Sequence, residues 1–330
     1  MHIGYPCINN SIPRNGSSTF RLASYSESKL IQTVKDNLIH LYQILEYNVK
    51  NNLLFFRISS DLVPFASHPI CKFGWFKFFQ SEFEPIGDYV KRHNIRICMH
   101  PDQFVVLNSP NEKILENSIN ELRYHCRVLD TMGLDGTAKV QIHVGGVYRN
   151  KPEAIDRFIK TYNNIHFIGH SIKNRLVIEN DDHLYNIKDC FYINQQTSIP
   201  VIFDNLHHEC FGSSPEESKM EEGLVRNPLQ KAMSTWKNNN DGLPMVDYSS
   251  QDIRNTSDDN HLRVRKGKHT VTIDPDLFKN FLKQTDGLDF DIMLEIKDKE
   301  ISAVKALELV RERSKQVQRT VMSIGRNYRT

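Results

Sequence analysis

The chain has 330 residues, 39% of them apolar and 25% charged, with a net charge of only +2. Such a length supports a sizeable core and one large domain over 1–330, apolar runs such as Leu53 to Phe56 are far too short to cross a bilayer, and near-neutrality means that a polyanionic partner must be gripped by a local basic face. "MHIGYPCINNSIPRNG" has neither a basic leader nor an apolar export core, and the six cysteines (7, 71, 98, 126, 190 and 210) form no Cys-x-x-Cys pair, so a reduced, cytosolic protein is expected.

In chain order, short apolar runs alternate with stretches of helical period. A strand at 2–5 precedes a helix over 28–49, with Ile31, Val34, Leu38, Leu41 and Leu45 on one face. Strand 53–59 leads to a helix over 76–93, strand 95–100 to one over 110–132, strand 138–144 to one over 152–168, and strand 176–180 to one near 184–195. Strands at 200–205, 243–248 and 290–296 follow, with helices near 215–235 and at 299–315. Eight strands separated by helices predict a single (β/α)8 barrel. The helix at 110–132 has the plainest boundaries: Ser109 as cap, Pro110 at the first helical position, Glu112 closing a capping box and Gly133 as the stop. Residues 249–270, after strand seven, make a polar loop too long for an ordinary connection, which marks it as functional or disordered.

In such a barrel the loops after the strands converge on one face, so the strand ends decide the chemistry. Strand three ends at His100, four at His143, five at Glu179, six at Asp204 with His207 three residues on, seven at Asp247 and eight at Glu295. One histidine at a strand end is commonly just a hydrogen-bonding residue. Six successive strand ends bearing imidazole or carboxylate make a metal-binding pattern. Glu179 and Glu295 follow apolar runs, where a carboxylate must be paired or coordinated to be buried at all. Imidazole mixed with carboxylate suits zinc or manganese.

Several nearby groups have both a substrate reading and a plainer one. In "GGVYRNK" (145–151) the glycines permit close approach and Arg149 and Lys151 can hold phosphate, or the stretch is a solvated turn before a helix. "RVRKGKH" (263–269) is a phosphate grip or an exposed basic loop. In "FRISSDLVPFASHP" (56–69), Arg57, Ser59, Ser60 and His68 can bind phosphate oxygens or line a polar turn. The aromatic run "FGWFKFF" (73–79) is expected to pack in the core, with Trp75 the exception free to stack on a base.

"GYPCINN", "FRISSDLVPFASHP", "MHPDQF", "IHVGG", "LVIEND", "FDNLHH", "DYSSQ" and "DIMLEIKDKE" stand in order at the strand ends that a barrel requires. In these motifs, which span most of its length, the chain resembles the UV damage endonucleases, relatives of endonuclease IV that share a metal-containing barrel. The resemblance implies hydrolysis of the phosphodiester immediately 5′ to UV photoproducts (cyclobutane pyrimidine dimers and 6-4 photoproducts) by water activated at a metal cluster, leaving a 3′-hydroxyl and a 5′-phosphate. It implies three divalent ions, manganese first and zinc, cobalt or magnesium as alternatives. Their ligands would be His100, His143, Glu179, Asp204, His207, Asp247, His269 and Glu295, with Glu179 bridging two ions and His100, His143, Glu179, Asp204 and Glu295 carrying catalysis.

By the same resemblance, Tyr5 and Asn9 would line the pocket for the damaged dinucleotide and Gln103 and Phe104 would enter the duplex; His68, Arg149 and Lys151, read above from their own chemistry as phosphate contacts, complete the expected substrate-binding set. The implied partner is UV-damaged double-stranded DNA, met in a bacterial-type cytosol by a monomer with no obligate protein partner. Strand seven departs from the family pattern: Met245 stands in place of a modified lysine and Asp247 in place of a histidine ligand. Phe104 replaces the usual tyrosine, so it can wedge and stack but donates no hydrogen bond. The rival reading is a metal-dependent sugar isomerase on the same barrel, which needs neither an aromatic wedge nor a basic loop. A non-catalytic DNA-binding protein with a structural metal is the third.

Overall fold

Each apolar run forms a four- or five-residue strand buried along nearly its whole length, as a parallel sheet covered by helices demands. The computed structural model describes residues 1–13, 16–212, 224–237, 240–252 and 266–327, with side chains as far as 315. Its strands are β1 (Ile3–Pro6), β2 (Phe55–Ile58), β3 (Arg96–Met99), β4 (Lys139–His143), β5 (Leu176–Glu179), β6 (Val201–Asp204), β7 (Met245–Tyr248) and β8 (Asp291–Leu294). They close in chain order into a barrel of parallel strands, with β8 pairing back to β1. Helices link them, so the fold is the expected (β/α)8 barrel. No helix among the described residues is long and apolar enough to cross a membrane.

Side chains along a strand alternate between lumen and helix layer. The outward ones join the helices in the main core, while Phe55, Cys98, Val177, Ile202, Met245 and Met293 form a separate apolar plug in the lumen. Two residues further along, the same strands present Arg57, His100, Glu179, Asp204, Asp247 and Glu295. A step of one pleat repeat therefore carries the lumen from an apolar floor to a ring of titratable groups. Gly4 is β1's contribution: a Cβ there would lie 2.1 Å from the Phe55 carbonyl oxygen, so only glycine lets β1 close against β2.

Local expectations shift in several places. The helix expected over 110–132 is Glu112–Thr131, and Asn111 rather than Ser109 caps it: Asn111 Oδ1 accepts from the backbone N–H groups of Lys113 (3.0 Å) and Ile114 (3.1 Å). Ser109 Oγ instead accepts from Asn111 N, leaving Pro110 outside the helix. Trp75 is only 5% exposed, packed on Phe83 and Tyr124, whereas Phe78 of the same run is 49% exposed. The helix expected over 152–168 splits into Lys151–Asn163 and Ile165–Ile168. Three α-helices among the described residues, His170–Arg175, Asn205–Phe211 and Pro275–Gln284, have no counterpart in the sequence reading; Asp204 and Asp274 cap the last two. Residues 253–265 of the long polar loop lie outside the described residues, as do 213–223 of the helix expected near 215–235, whose described part is Arg226–Met233.

Candidate metal centre

The strand ends bring all eight expected ligands to one mouth of the barrel. Glu179 Oε1 lies 2.8 Å from His100 Nε2 and 2.9 Å from His143 Nε2. The imidazoles of His100, His143, His207 and His269 follow one another around the rim, with successive ring centroids 5.4, 5.7 and 6.0 Å apart. Among these eight residues three groupings have donor atoms mutually within 4.8 Å: His100, His143 and Glu179; Glu179, Asp204 and His207; Asp204, Asp247 and Glu295. Glu179 and Asp204 each belong to two of them, the arrangement needed to bridge neighbouring ions. His269 joins at the edge, its Nε2 3.8 Å from Glu295 Oε2.

Three of the four imidazoles are aimed by their second nitrogens, while His143 Nδ1 is buried without a hydrogen-bond partner. His100 Nδ1 donates to Pro101 O (2.8 Å), His207 Nδ1 to Asn180 O (2.9 Å) and His269 Nδ1 to Glu295 O (2.7 Å). That tautomer leaves the Nε2 lone pair for a cation. Asp204 is held by the local fold as well, because Oδ1 accepts from His207 N at 2.8 Å as the helix cap. Ser60 Oγ donates to the His100 carbonyl (2.9 Å) and steadies the loop that follows β3.

The charge balance favours cations. Four carboxylates, Glu179, Asp204, Asp247 and Glu295, share this volume with one guanidinium, Arg57, which pairs with Asp247 Oδ2 at 2.8 Å and with Glu295. Burial and then the neighbouring acids push Asp247 well above the ordinary aspartate range despite Arg57, and burial also raises Asp204. Burial would lower His207, but Asp204 and the other carboxylates outweigh it and raise it to about 10. Glu179 is held well below the usual range: burial opposes this, and His143 and His100 prevail. The Asp204 Oδ2 and Asp247 Oδ1 atoms are buried without a hydrogen bond. Divalent cations fit this donor set, since they would satisfy those oxygens and compensate charge that is otherwise costly to bury. His100, His143, Glu179, Asp204, His207, Asp247, His269 and Glu295 are the residues that would hold them.

Other expected site residues scatter. Gln103 and Phe104 stand exposed on the loop after His100, Phe104 to 63%. Arg149 and His68 are exposed on the loops after β4 and β2. Lys151 instead pairs with Asp189 at 2.5 Å and lies over the Tyr185 ring. Tyr5 and Asn9 are fully buried: Asn9 Nδ2 donates to Tyr5 Oη (2.7 Å), which donates to Asn48 Oδ1 (2.6 Å) of the helix Glu27–Asn51. Tyr5 thus faces the helix layer, packed on Phe56, away from the lumen.

Arg57 is buried beneath the ligands and closed to an outside phosphate, which corrects its phosphate reading; Ser59 Oγ accepts from Asp61 N within the turn, and Ser60 Oγ reaches the His100 carbonyl of the next loop. Gln141, which the sequence reading passes over, ties the floor together. Its Nε2 donates to Glu179 and Asp247, and its Oε1 accepts from Arg57 Nη2 at 3.0 Å. Its position two residues before His143 on the same strand was the available signal. Met245 lies in the apolar plug below Asp247, where it has no ligand role.

Comparison with known proteins converges on one family. The family model described as UV-endonuclease UvdE matches residues 1–327. A UV DNA damage endonuclease of Clostridium perfringens (strain 13 / Type A) is 38% identical over 315 residues, which are 96% of this chain and 72% of that protein. The crystal structure of SacUVDE superposes with a TM-score of 0.84 at 40% identity, covering 95% of this chain and 99% of the other. Endonuclease IV from Thermus thermophilus shares the fold, with a TM-score of 0.55 at 14% identity over 84% of this chain and 94% of its own. The chain belongs to the UV-endonuclease UvdE family.

Proposed function

We propose that this protein is a metal-dependent DNA repair endonuclease that cuts the phosphodiester immediately 5′ to cyclobutane pyrimidine dimers and 6-4 photoproducts, leaving a 3′-hydroxyl and a 5′-phosphate. One observation carries the reading: an exposed aromatic, Phe104, stands four residues from His100 on the loop leaving the metal centre. A bound divalent cluster, with manganese expected, would supply an activated water and neutralise the scissile phosphate. His100, His143, Glu179, Asp204 and Glu295 fix the donor geometry, and Arg57 and Gln141 hold the carboxylates from below. Gln103 and Phe104 enter the helix at the lesion, where a crosslinked dinucleotide makes kinking and flipping cheaper than in intact duplex. Arg149 and His68 lie against the backbone. A sugar isomerase has no use for an aromatic left in water beside its ligands.

The protein works as a monomer in the cytosol, without an obligate partner. The test is relaxation of supercoiled plasmid in manganese buffer. UV-irradiated plasmid should be nicked and unirradiated plasmid spared, and equal cutting of both would refute damage recognition.

A further inference from the structure

Tyr148 and Arg149, in the loop after β4, are two consecutive non-glycine residues in the left-handed region, with φ of 48° and 65°. A bulky residue there costs backbone energy and persists only where its surroundings fix it. The surroundings do so. The Tyr148 ring sits where a Cβ on Gly146 would come within 3.0 Å of it, and the Arg157 guanidinium lies 5.4 Å from its centroid. Arg157 Nε donates to Asn108 O (2.9 Å), and Asn108 Nδ2 donates to Gly146 O (2.8 Å), which also accepts from Tyr185 Oη (2.9 Å). Asn108 closes the loop that carries Gln103 and Phe104. The two neighbouring loops are therefore locked to each other, and each lifts one aromatic into solvent: Phe104, and Tyr148 at 40% exposure.

Packing does not explain this expense. A ring needed only for the fold would be buried, and a turn needing two left-handed residues would be met by glycine at no steric cost. The Arg157 guanidinium lies on the ring, with Glu153 Oε2 3.9 Å from its Nη1, and the next residue along the loop, Arg149, is exposed; an electron-rich ring in a loop that carries cationic side chains suits a nucleobase with its phosphate. We propose that Tyr148 is a second stacking residue for DNA, holding a nucleobase of the duplex beside the Phe104 wedge while Arg149 meets the adjoining phosphate. This rests on the nuclease reading above.

The test uses full-length protein and two labelled duplexes, identical except for one cyclobutane dimer, with affinity, saturating incision rate and melting temperature measured for wild type, Tyr148→Gly and Tyr148→Phe. Glycine relieves the backbone while removing the ring. The Tyr148→Gly variant should therefore melt no lower than wild type yet bind the dimer duplex about tenfold more weakly, with its saturating rate within twofold. Tyr148→Phe should bind within twofold of wild type. Wild-type affinity in Tyr148→Gly overturns the proposal, as does a melting temperature lowered in step with affinity, which means a structural role. An equal loss in Tyr148→Phe overturns stacking in favour of the hydroxyl. A wild-type protein that binds neither duplex brings down the nuclease reading itself, and the proposal with it.

Discussion

The Arg57 guanidinium reaches Asp247 Oδ2 at 2.8 Å from beneath the metal centre and pairs with Glu295 on its other side. In a site built for cations, one cation is already covalently part of the chain. It satisfies one oxygen of Asp247 and leaves the other, Oδ1, without a hydrogen bond. Strand seven thus offers a hard carboxylate donor above an apolar methionine, with its orientation set by a fixed charge.

Arg57→Met should remove that charge and leave Asp247 and Glu295 uncompensated. Breaking a buried pair by deleting one partner costs about 3–5 kcal/mol. Denaturation of the metal-free variant should show a loss of that order, and manganese should recover part of it, since bound ions can take over the neutralisation. Equal losses with and without metal would mean that Arg57 acts apart from the centre.

Metal binding should release protons. Burial works against the charged form of His207, yet Asp204 and its neighbours raise it to about 10, so the metal-free protein carries that proton at pH 7. A ligand imidazole must be neutral, so apparent metal affinity should rise with pH. Titration calorimetry in buffers of different ionisation enthalpy should show the heat varying with buffer; heat independent of buffer would contradict the coupling. The same shift bears on stability. The His207 contribution is fully present below the ordinary histidine value of about 6.5 and is lost as pH rises through the folded value.

Glu179→Gln should abolish incision and lower the bound-metal content, because the amide is a poor bridge between two cations. Glu179 Oε1 meets both His100 and His143, and these contacts can be kept by Gln. The circular dichroism spectrum should remain that of wild type. Wild-type turnover in this variant would take Glu179 out of the centre.

Phe104→Ala should leave stability nearly unchanged, since the side chain is 63% exposed, and should reduce the preference for damaged over intact duplex by about tenfold. Competition between the two duplexes measures it. An undiminished preference would exclude the wedge.

Much of this was legible in the residues, because strand periodicity carries the topology and a ligand at a strand end needs no tertiary information to be noticed. Parity explains what was missed. Ile3 and Tyr5 share one face of β1, and that face meets the helices, so Tyr5 is core and not pocket. Arg57 shares parity with Phe55, hence the lumen, yet a strand-end arginine looks the same in sequence whether it points inward at carboxylates or outward at phosphate. Gln141 is silent for the opposite reason, as an amide inside a strand suggests no chemistry until its partners are in place. Asn111 and Ser109 are both good caps two residues apart, and only the backbone path chooses between them.

The decisive measurement is incision of an end-labelled duplex carrying one cyclobutane pyrimidine dimer at a known position, resolved to the nucleotide, with manganese and with chelator. The expected result is one manganese-dependent cut at the phosphodiester immediately 5′ to the dimer, with a 3′-hydroxyl that a polymerase can extend. No cut, a cut that persists in chelator, or cuts spread along the undamaged strand would contradict the assignment.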